Sequence, residues 1–407
     1  MLIAQQDTDG AVQVIGHGSC PTQGSVSQGL IQDRNGAQLA LKKALTAAQK
    51  EARLKVNTLF CGVNGKNVET FIREGHAEIQ REVVEYANMA EARDIASRDI
   101  LAPGKIITSS IDAQEWYVDN MRVLDPMGIR GQVLKTRVHF ARLPSVIEDN
   151  IVSCIESLGC DLEDFVFLPL ASAMGCLTPE DMELGVAVLD LGRSVTGLAV
   201  YRDFRILNSH CFEWGAFQIT RDVAAGLQVS FDEADELILE YGISEANIRE
   251  EFENTLEASN ASDRSDSRIK LKTAVPGAPN VVDRAELDDI VYERAKELLI
   301  KVRQHLESRG LSKNLIRGIV LTGGGSMLRN YLSLAESVFQ VPCRSGLPAS
   351  LETMPPRVAA PDYTAAVGIV RHAIEHRRAA RNGSIGSRGP VGSMSRRIGR
   401  FVKRYFF

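Results

Sequence analysis

The hydrophobic and polar residues of this chain alternate in blocks that predict strands and helices in turn. Short apolar runs bounded by turn residues are typical of buried strands, and four stand out: 58–63, 165–168, 186–190 and 198–201. Longer segments carry apolar residues at helical spacing, at 36–54, 145–158, 218–226, 231–241 and 284–308. This alternation predicts an α/β fold in which helices pack on sheets.

Three segments add detail to this pattern. The first fifteen residues predict a β-hairpin with strands at 2–4 and 11–15. Helix 145–158 is expected to take Ser145 as its N-cap and to end at Gly159. Residues 255–282 are rich in Ser, Asn, Asp and Pro, and they predict a loop.

Residues 69–142 break the regular alternation. They combine a polar helix, predicted at 82–99, with three strands, predicted at 106–111, 116–119 and 133–140. The pattern favours a small inserted α+β subdomain.

Composition narrows the class of protein. At 407 residues the chain is long enough for roughly two to four domains. Seven scattered cysteines without a CxxC pair argue against a disulfide framework and a zinc site, and neither an HExxH motif nor clustered His and carboxylates predict another metal site. No run approaches the roughly 20 apolar residues that span a bilayer, so we expect a cytoplasmic protein.

Charge is distributed unevenly along the chain. The net charge is −5, yet nine of the 47 basic residues and no acidic residue lie from Arg377 onward. An acidic body with a basic tail favours contact with an anionic surface and argues against nucleic acid as a partner.

The basic tail has a helical pattern of its own. In residues 395–407, one helical face would carry Ile398, Phe401, Val402, Tyr405 and Phe406. Cations would surround that face: Arg396, Arg397, Arg400, Lys403 and Arg404. The pattern predicts an amphipathic helix that lies in a membrane surface, detached from the fold by a flexible linker at 377–394. The alternatives are a helix docked on its own domain and a nucleic-acid-binding arm.

Two glycine-containing turns are candidates for phosphate or sugar contact. The hairpin "GVAVLDLGRSVTGLAVYRD", residues 185–203, resembles the phosphate-binding hairpin of actin-like ATPases, with Asp190 beside the metal and Gly192 in the turn. In "LTGGGSML", Gly323, Gly324 and Gly325 stand between a predicted strand and a predicted helix, where backbone can approach a ligand. A tight turn without a ligand is the alternative for the second motif.

Taken in order, the motifs resemble the FtsA family of bacterial actin homologues. Besides the two turns, the collinear matches are "VIGHGSCPTQG", "GAFQITRDVAAGL", "FDEADELILEYG", "PDYTAAVGIV" and the amphipathic end. The resemblance implies an α/β, actin-like fold with an FtsA-type 1C subdomain and a C-terminal amphipathic helix. Subdomain 1A would comprise residues 1–68 and 143–183, 1C would be 69–142, and 2A with 2B would span 184–376.

The resemblance also implies a function and a set of partners. Members of this family tether FtsZ filaments to the cytoplasmic face of the inner membrane at the division site. We therefore expect contact with the FtsZ C-terminal peptide through subdomain 2B, with an anionic membrane and with other divisome proteins, and self-association into filaments. ATP with Mg is the implied ligand.

The family positions that contact ATP correspond to particular residues of this sequence. Asp190 and Gly192 would belong to the second phosphate loop, and Gly215 would face the nucleotide cleft. Asp235 would stand at the position of a ribose-binding Glu, and Gly323 to Gly325 would flank the adenosine. No residue is expected to be catalytic.

This sequence also departs from the family pattern at positions that would contact ATP. "LIAQQDTDG" matches the strand that follows the first phosphate loop of the family, so that loop is lacking and the first strand of 1A is truncated. In the second loop, Arg193, Ser194 and Val195 replace Gly-Gly-Thr. The departures predict a degenerate ATP site without hydrolysis, although the Arg193 guanidinium could itself compensate phosphate charge.

Two other functions stay open. One is an active actin-type ATPase whose N-terminus is missing from the gene model. The other is a PilM-like pilus assembly protein, which is not expected to carry a cationic terminal anchor.

Overall fold

The computed structural model describes residues 1–7, 10–98, 105–252, 268–272 and 280–381. Its first part contains the predicted hairpin, β1 (Leu2–Gln6) with β2 (Val12–His17). A small hairpin follows, formed by β3 (Val26–Ser27) and β4 (Leu30–Ile31), and then helix α1 (Arg34–Ala52). Asp33 caps α1 by accepting bonds from the N–H groups of Asn35 and Gly36. The next strand, β5 (Thr58–Val63), has the predicted bounds.

Residues 69–144 form a separate antiparallel sheet of four strands. These are β6 (Glu69–Glu78), β7 (Lys105–Val118), β8 (Met121–Val123) and β9 (Val133–Pro144), in the spatial order β6-β9-β7-β8, and helix α2 (Tyr86–Arg98) packs on β6 and β9. Two predictions here are wrong. Strand β6 was not expected, and the strands predicted at 106–111 and 116–119 are one strand. Bulges at Ile107/Ser109 and Ile111/Glu115 interrupt the alternation of β7, so its pattern resembles two short strands.

The chain returns to the first part through α3 (Ser145–Glu156) and β10 (Asp161–Phe167), which pairs in parallel with β5. Ser145 is not the N-cap of α3. The cap position is Pro144, which makes no side-chain capping bond, because β9 extends to Pro144 and the chain passes directly from strand to helix. The helix ends at Glu156, before Gly159.

A five-stranded mixed sheet forms the centre of the second part. After helices α4 (Leu168–Cys176) and α5 (Pro179–Leu184) come β11 (Val186–Leu191), β12 (Thr196–Arg202) and β13 (Arg205–Phe212). With β16 (Ile319–Thr322) and β17 (Cys343–Ser345) they give the order β13-β12-β11-β16-β17. Almost every residue of β11 and β12 is buried, which explains their continuous apolar runs.

Further helices lie in the second part of the chain. They are α6 (Phe217–Leu227), α7 (Phe231–Tyr241), α8 (Glu245–Phe252), α9 (Arg284–Ser308), α10 (Tyr331–Phe339) and α11 (Thr364–Arg381). Two short strands, β14 (Arg268–Lys270) and β15 (Val281–Asp283), pair inside the segment predicted to be a loop. The pairing joins residues far apart in sequence, which a local pattern does not reveal.

The C-terminal predictions are only partly covered by the described residues. Helix α11 continues to Arg381, so the first five residues of the predicted linker are helical rather than flexible. The rest of the linker and the ten predicted membrane-binding residues lie outside the described residues. Among the described helices, none combines the length and the apolar character that crossing a membrane requires.

Candidate functional site

Asp190 lies at the end of β11, between Gly197 of β12 and Thr322 of β16. The Ser172 hydroxyl donates a hydrogen bond to Asp190 Oδ2 over 2.6 Å. Burial raises the pKa of the Asp190 carboxyl above its ordinary value, and the Ser172 hydrogen bond acts in the opposite direction. Sequence reasoning missed Ser172, because it belongs to α4 and no local motif links it to the turn.

The triple-glycine segment packs against this carboxylate. Gly323 has φ +80°, and a Cβ on it would lie 2.4 Å from Asp190 Oδ1, so a side chain there would clash. A short 3₁₀ turn, Gly324–Met327, follows, and the α-helix begins only at Tyr331. The expectation that the three glycines open an α-helix is therefore wrong, and with it the argument from a helix N-terminus.

Backbone groups of the turn after β11 form hydrogen bonds within the protein. Gly192 N–H donates to Asp190 O and Val195 O, over 3.2 and 3.1 Å. The carbonyls of Gly192 and Arg193 accept the N–H groups of Ala216 and Phe217 at the start of α6, over 3.0 and 2.7 Å. These donors, which a phosphate would use at a helix N-terminus, already have protein partners.

Gly215 makes the close approach between the turn and α6 feasible. A Cβ at this position would lie 2.5 Å from Gly192 O and 2.6 Å from Arg193 O. Only glycine lets the two backbones pack so tightly.

Arg193 and Asp235 form an ion pair, with Nη1 and Oδ2 3.0 Å apart. The Thr220 hydroxyl donates to the second carboxylate oxygen, Oδ1, over 2.5 Å. The Arg193 guanidinium also lies 4.9 Å from the centroid of the Phe217 ring, within cation–π range. Both oxygens of Asp235 are thus engaged, and the Arg193 guanidinium is held beside α6 and α7.

The space between Gly215 and Gly325 is very small. The two residues, together with Leu191, Trp214 and Tyr331, line a cavity of about 10 Å³. That volume holds at most about one water molecule. This cavity is too small to hold an adenosine.

A much larger cavity, of about 1360 Å³, lies on the other side of Asp190. Asp190, Gly192 and Val195 line it, whereas Arg193, Gly215, Asp235 and the three glycines do not. The Ser194 hydroxyl accepts the Gln28 N–H over 3.0 Å and so joins the turn to the first part of the chain. The structure therefore separates the predicted site residues. Asp190 and Gly192 line the large cavity, and Arg193 pairs with Asp235. Gly215 and Gly325 line the small cavity, whereas Gly323 and Gly324 line neither cavity.

Among the residues that the structure describes, no group of three or more His, Cys, Asp and Glu side chains is arranged to hold a metal ion.

Comparison with known proteins reveals a similarity to one family of cell division proteins. A family model described as "Cell division protein FtsA" matches residues 187–368. The cell division protein FtsA of Neisseria meningitidis is 26% identical over 410 residues, which cover 100% of this chain and 95% of that protein. The Pseudomonas aeruginosa FtsA is also 26% identical, covering 92% and 86%, and the Escherichia coli K12 FtsA is 23% identical, covering 100% and 95%. This chain is similar to FtsA cell division proteins over most of its length.

Solved structures define the fold of this chain. The PilM–PilN type IV pilus biogenesis complex contains a chain that superposes with a TM-score of 0.61 at 15% identity, covering 92% of this chain and 94% of that one. MreB5 of Spiroplasma citri bound to ADP gives 0.50 at 12% identity, covering 89% and 80%. The predicted resemblance to the FtsA family and the predicted actin-like fold are confirmed, whereas the subdomain boundaries and the site assignments remain predictions.

Proposed function

We propose that this protein acts in cell division as a scaffold that tethers FtsZ filaments to the cytoplasmic membrane. The support is its similarity to cell division proteins named FtsA over 95% of the length of two of them. Its place would be the cytoplasmic face of the inner membrane at the division site, among other divisome proteins. The likeness to the PilM chain concerns the fold alone.

We further propose that the scaffold does not depend on ATP hydrolysis and binds ATP with Mg weakly or not at all. The observation that carries this proposal is the closed turn after β11, where the N–H groups of Gly192, Ala216 and Phe217 already donate to protein carbonyls. The engaged Asp235 carboxylate points the same way, because a ribose hydroxyl would have to compete with Arg193 and Thr220. Asp190, half-buried and hydrogen-bonded to Ser172, would be a positioning residue of the turn.

Calorimetry with ATP and magnesium tests this second proposal. We expect no saturable heat and no release of phosphate from the unaltered protein. Arg193→Ala frees Asp235 and removes bulk from the loop. Arg249→Ala is the matched control, since it removes another exposed arginine that pairs with an acid, Glu245. Stoichiometric binding with phosphate release by the unaltered protein would contradict the proposal.

Membrane attachment is assigned in this proposal to the tail. Burying a Phe ring contributes roughly 1.5–3 kcal/mol, and each cation near anionic lipid adds about 1 kcal/mol. Phe401→Glu with Phe406→Glu is therefore expected to abolish co-sedimentation with phosphatidylglycerol vesicles. Ser384→Glu with Ser387→Glu adds the same charge in the linker segment and should preserve binding. Equal retention of both double variants would refute the assignment.

FtsZ binding and self-association complete the proposal. A synthetic peptide of the FtsZ C-terminus should bind saturably to the full chain, and the chain alone on anionic vesicles should form filaments visible by electron microscopy. Absence of peptide binding would remove FtsZ as the partner while leaving membrane attachment to be judged by its own assay.

A further inference from the structure

The outer side of helix α1 carries a row of exposed cations. Its exposed residues at helical spacing, together with two cations that directly follow the helix, define what we call the α1 face: Leu39, Lys42, Lys43, Lys50, Arg53 and Lys55. The inner side of α1 packs closely on β2, since a Cβ at Gly18 would lie 2.1 Å from Ala44 O. The α1 face is therefore fixed relative to the body of the protein.

The charge of the α1 face is not neutralised by its surroundings. None of its five cations forms an ion pair with another residue that the structure describes. Residues 34–57 contain six basic residues and one acid, Glu51, whose Oε2 lies 2.6 Å from His17 Nδ1. Apart from this segment and the nine basic residues from Arg377 onward, the chain holds 32 basic and 51 acidic residues. The α1 face is thus a concentrated positive patch on a strongly acidic body.

The chemistry of the α1 face fits a lipid surface better than a nucleic acid or a peptide. Leu39, at 54% exposure, lies among the lysines, and apolar side chains beside cations are typical of helices that contact anionic lipid. Binding to the phosphates of a nucleic acid would use the cations alone. Peptides bind in grooves or at free strand edges, whereas the residues of the α1 face line neither cavity described above. A convex helix face with long cationic side chains suits a broad anionic surface.

The membrane tail of the proposed function does not by itself orient the body. Helix α11 ends at Arg381, and the thirteen residues between it and the tail at 395–407 reach at most about 45 Å. Within that reach an acidic body is repelled by anionic lipid, and charges interact over only roughly 8–10 Å. An orientation with the α1 face toward the lipid replaces this repulsion with attraction.

We propose that the α1 face is a second membrane contact, which holds the body of the tethered protein against anionic lipid in one orientation. The inference rests on the proposed attachment by the tail and adds the orientation that the tail does not provide. Each cation near anionic lipid strengthens binding about fivefold. Leu39 would enter the boundary between head groups and acyl chains.

Co-sedimentation of the full chain with phosphatidylglycerol vesicles tests the proposal. Lys42→Glu with Lys43→Glu reverses two exposed charges and should weaken binding at least about tenfold. Arg130→Glu with Lys313→Glu is the matched control, because it makes the same charge change at two exposed cations outside the α1 face, and binding should stay within about twofold. The difference between the two double variants should disappear on phosphatidylcholine vesicles, which carry no net charge. Equal binding of both double variants to phosphatidylglycerol, or the same difference on both lipids, would overturn the proposal.

The exposed leucine provides a second readout that does not depend on charge. Leu39→Asn should weaken binding to phosphatidylglycerol about fivefold, since the contact would bury this side chain. Leu239→Asn, at 76% exposure on α7, should leave binding unchanged. Equal effects of the two substitutions would contradict the α1 contact.

The tail and the α1 face are judged by different variants. Loss of binding after Phe401→Glu with Phe406→Glu, together with full binding after Lys42→Glu with Lys43→Glu, would overturn the α1 contact and leave the tail in place. The reverse result would remove the tail and retain the α1 contact. If the lysine variant changed the self-associated mass in sedimentation velocity but not vesicle binding, a second copy would cover the α1 face, and the proposal would be wrong.

Discussion

A buried histidine makes the stability of this protein dependent on pH. His139 of β9 is 1% exposed, and its Nε2 shares a hydrogen bond of 2.7 Å with the hydroxyl of Ser209 in β13. The contact joins the four-stranded sheet of residues 69–144 to the central sheet. Because burial disfavours the imidazolium, the pKa of His139 falls from 6.5 to about 4 in the folded protein.

The sign and size of the effect follow from this pKa. Between pH 6.5 and about pH 4 the unfolded chain binds a proton that the folded chain does not, so the free energy of unfolding falls as the pH is lowered. The full difference amounts to about 3 kcal/mol, at 1.36 kcal/mol for each pKa unit. Above pH 6.5 both states carry a neutral imidazole and the contribution no longer changes.

Urea unfolding from pH 7.5 to pH 4.5 measures this dependence. His139→Gln keeps an uncharged polar group beside Ser209, so its unfolding free energy should fall less steeply with acid than that of the unaltered chain. The lowered pKa of His305, also about 4, affects both proteins and cancels in the comparison. Parallel pH profiles for the two proteins would refute the reasoning.

Three further substitutions test the packing of the second half. Leu189→Ala empties a site that is 0% exposed and should cost about 2–5 kcal/mol in urea unfolding, whereas Leu239→Ala, at 76% exposure, should change stability by less than about 0.5 kcal/mol. Asp181→Ala removes a buried carboxylate that pairs with two partly exposed arginines, Arg317 and Arg344, so we expect a loss of about 1–3 kcal/mol in the same assay. Gly323→Ala places a Cβ against Asp190 and should lower the melting temperature in calorimetry, while Gly324→Ala, with no atom nearer than 3.9 Å, should leave it nearly unchanged.

Local signals predicted the second half of the fold well. Ser230 and Gly242 bound α7 at the predicted residues, because a capping hydroxyl and a terminal glycine act within a few positions of the helix end. Helix α9 likewise has the predicted bounds and begins after Asp283, whose side chain accepts the Ala285 N–H. Strand β6 was missed because its middle residues, Arg73 to Gly75, are polar or small, and the first two of them are exposed.

The candidate site depended on contacts that local patterns do not contain. The spacing of Asp190 and Gly192 predicted a turn after a buried strand, and that turn is present. The pairing of Arg193 with Asp235 spans 42 positions and requires α7 to pack beside the turn. A motif gives the identity of such a residue, whereas the packing of two elements decides whether its charge faces a ligand or a neighbouring side chain.

Apolar packing is distributed unevenly between the two halves of the described chain. Most buried apolar residues of the second half belong to one large cluster, which extends from Ala187 to Cys343, and others join Phe167 of β10 in a second cluster. The remaining buried apolar residues around β5 and β10 form two small clusters. Local stability follows buried apolar contacts and protected hydrogen bonds. The amides of β5 should therefore exchange with solvent faster than those of β11 in a hydrogen-exchange experiment, and equal rates would show that the smaller clusters stabilise the first half as well as the large cluster stabilises the second.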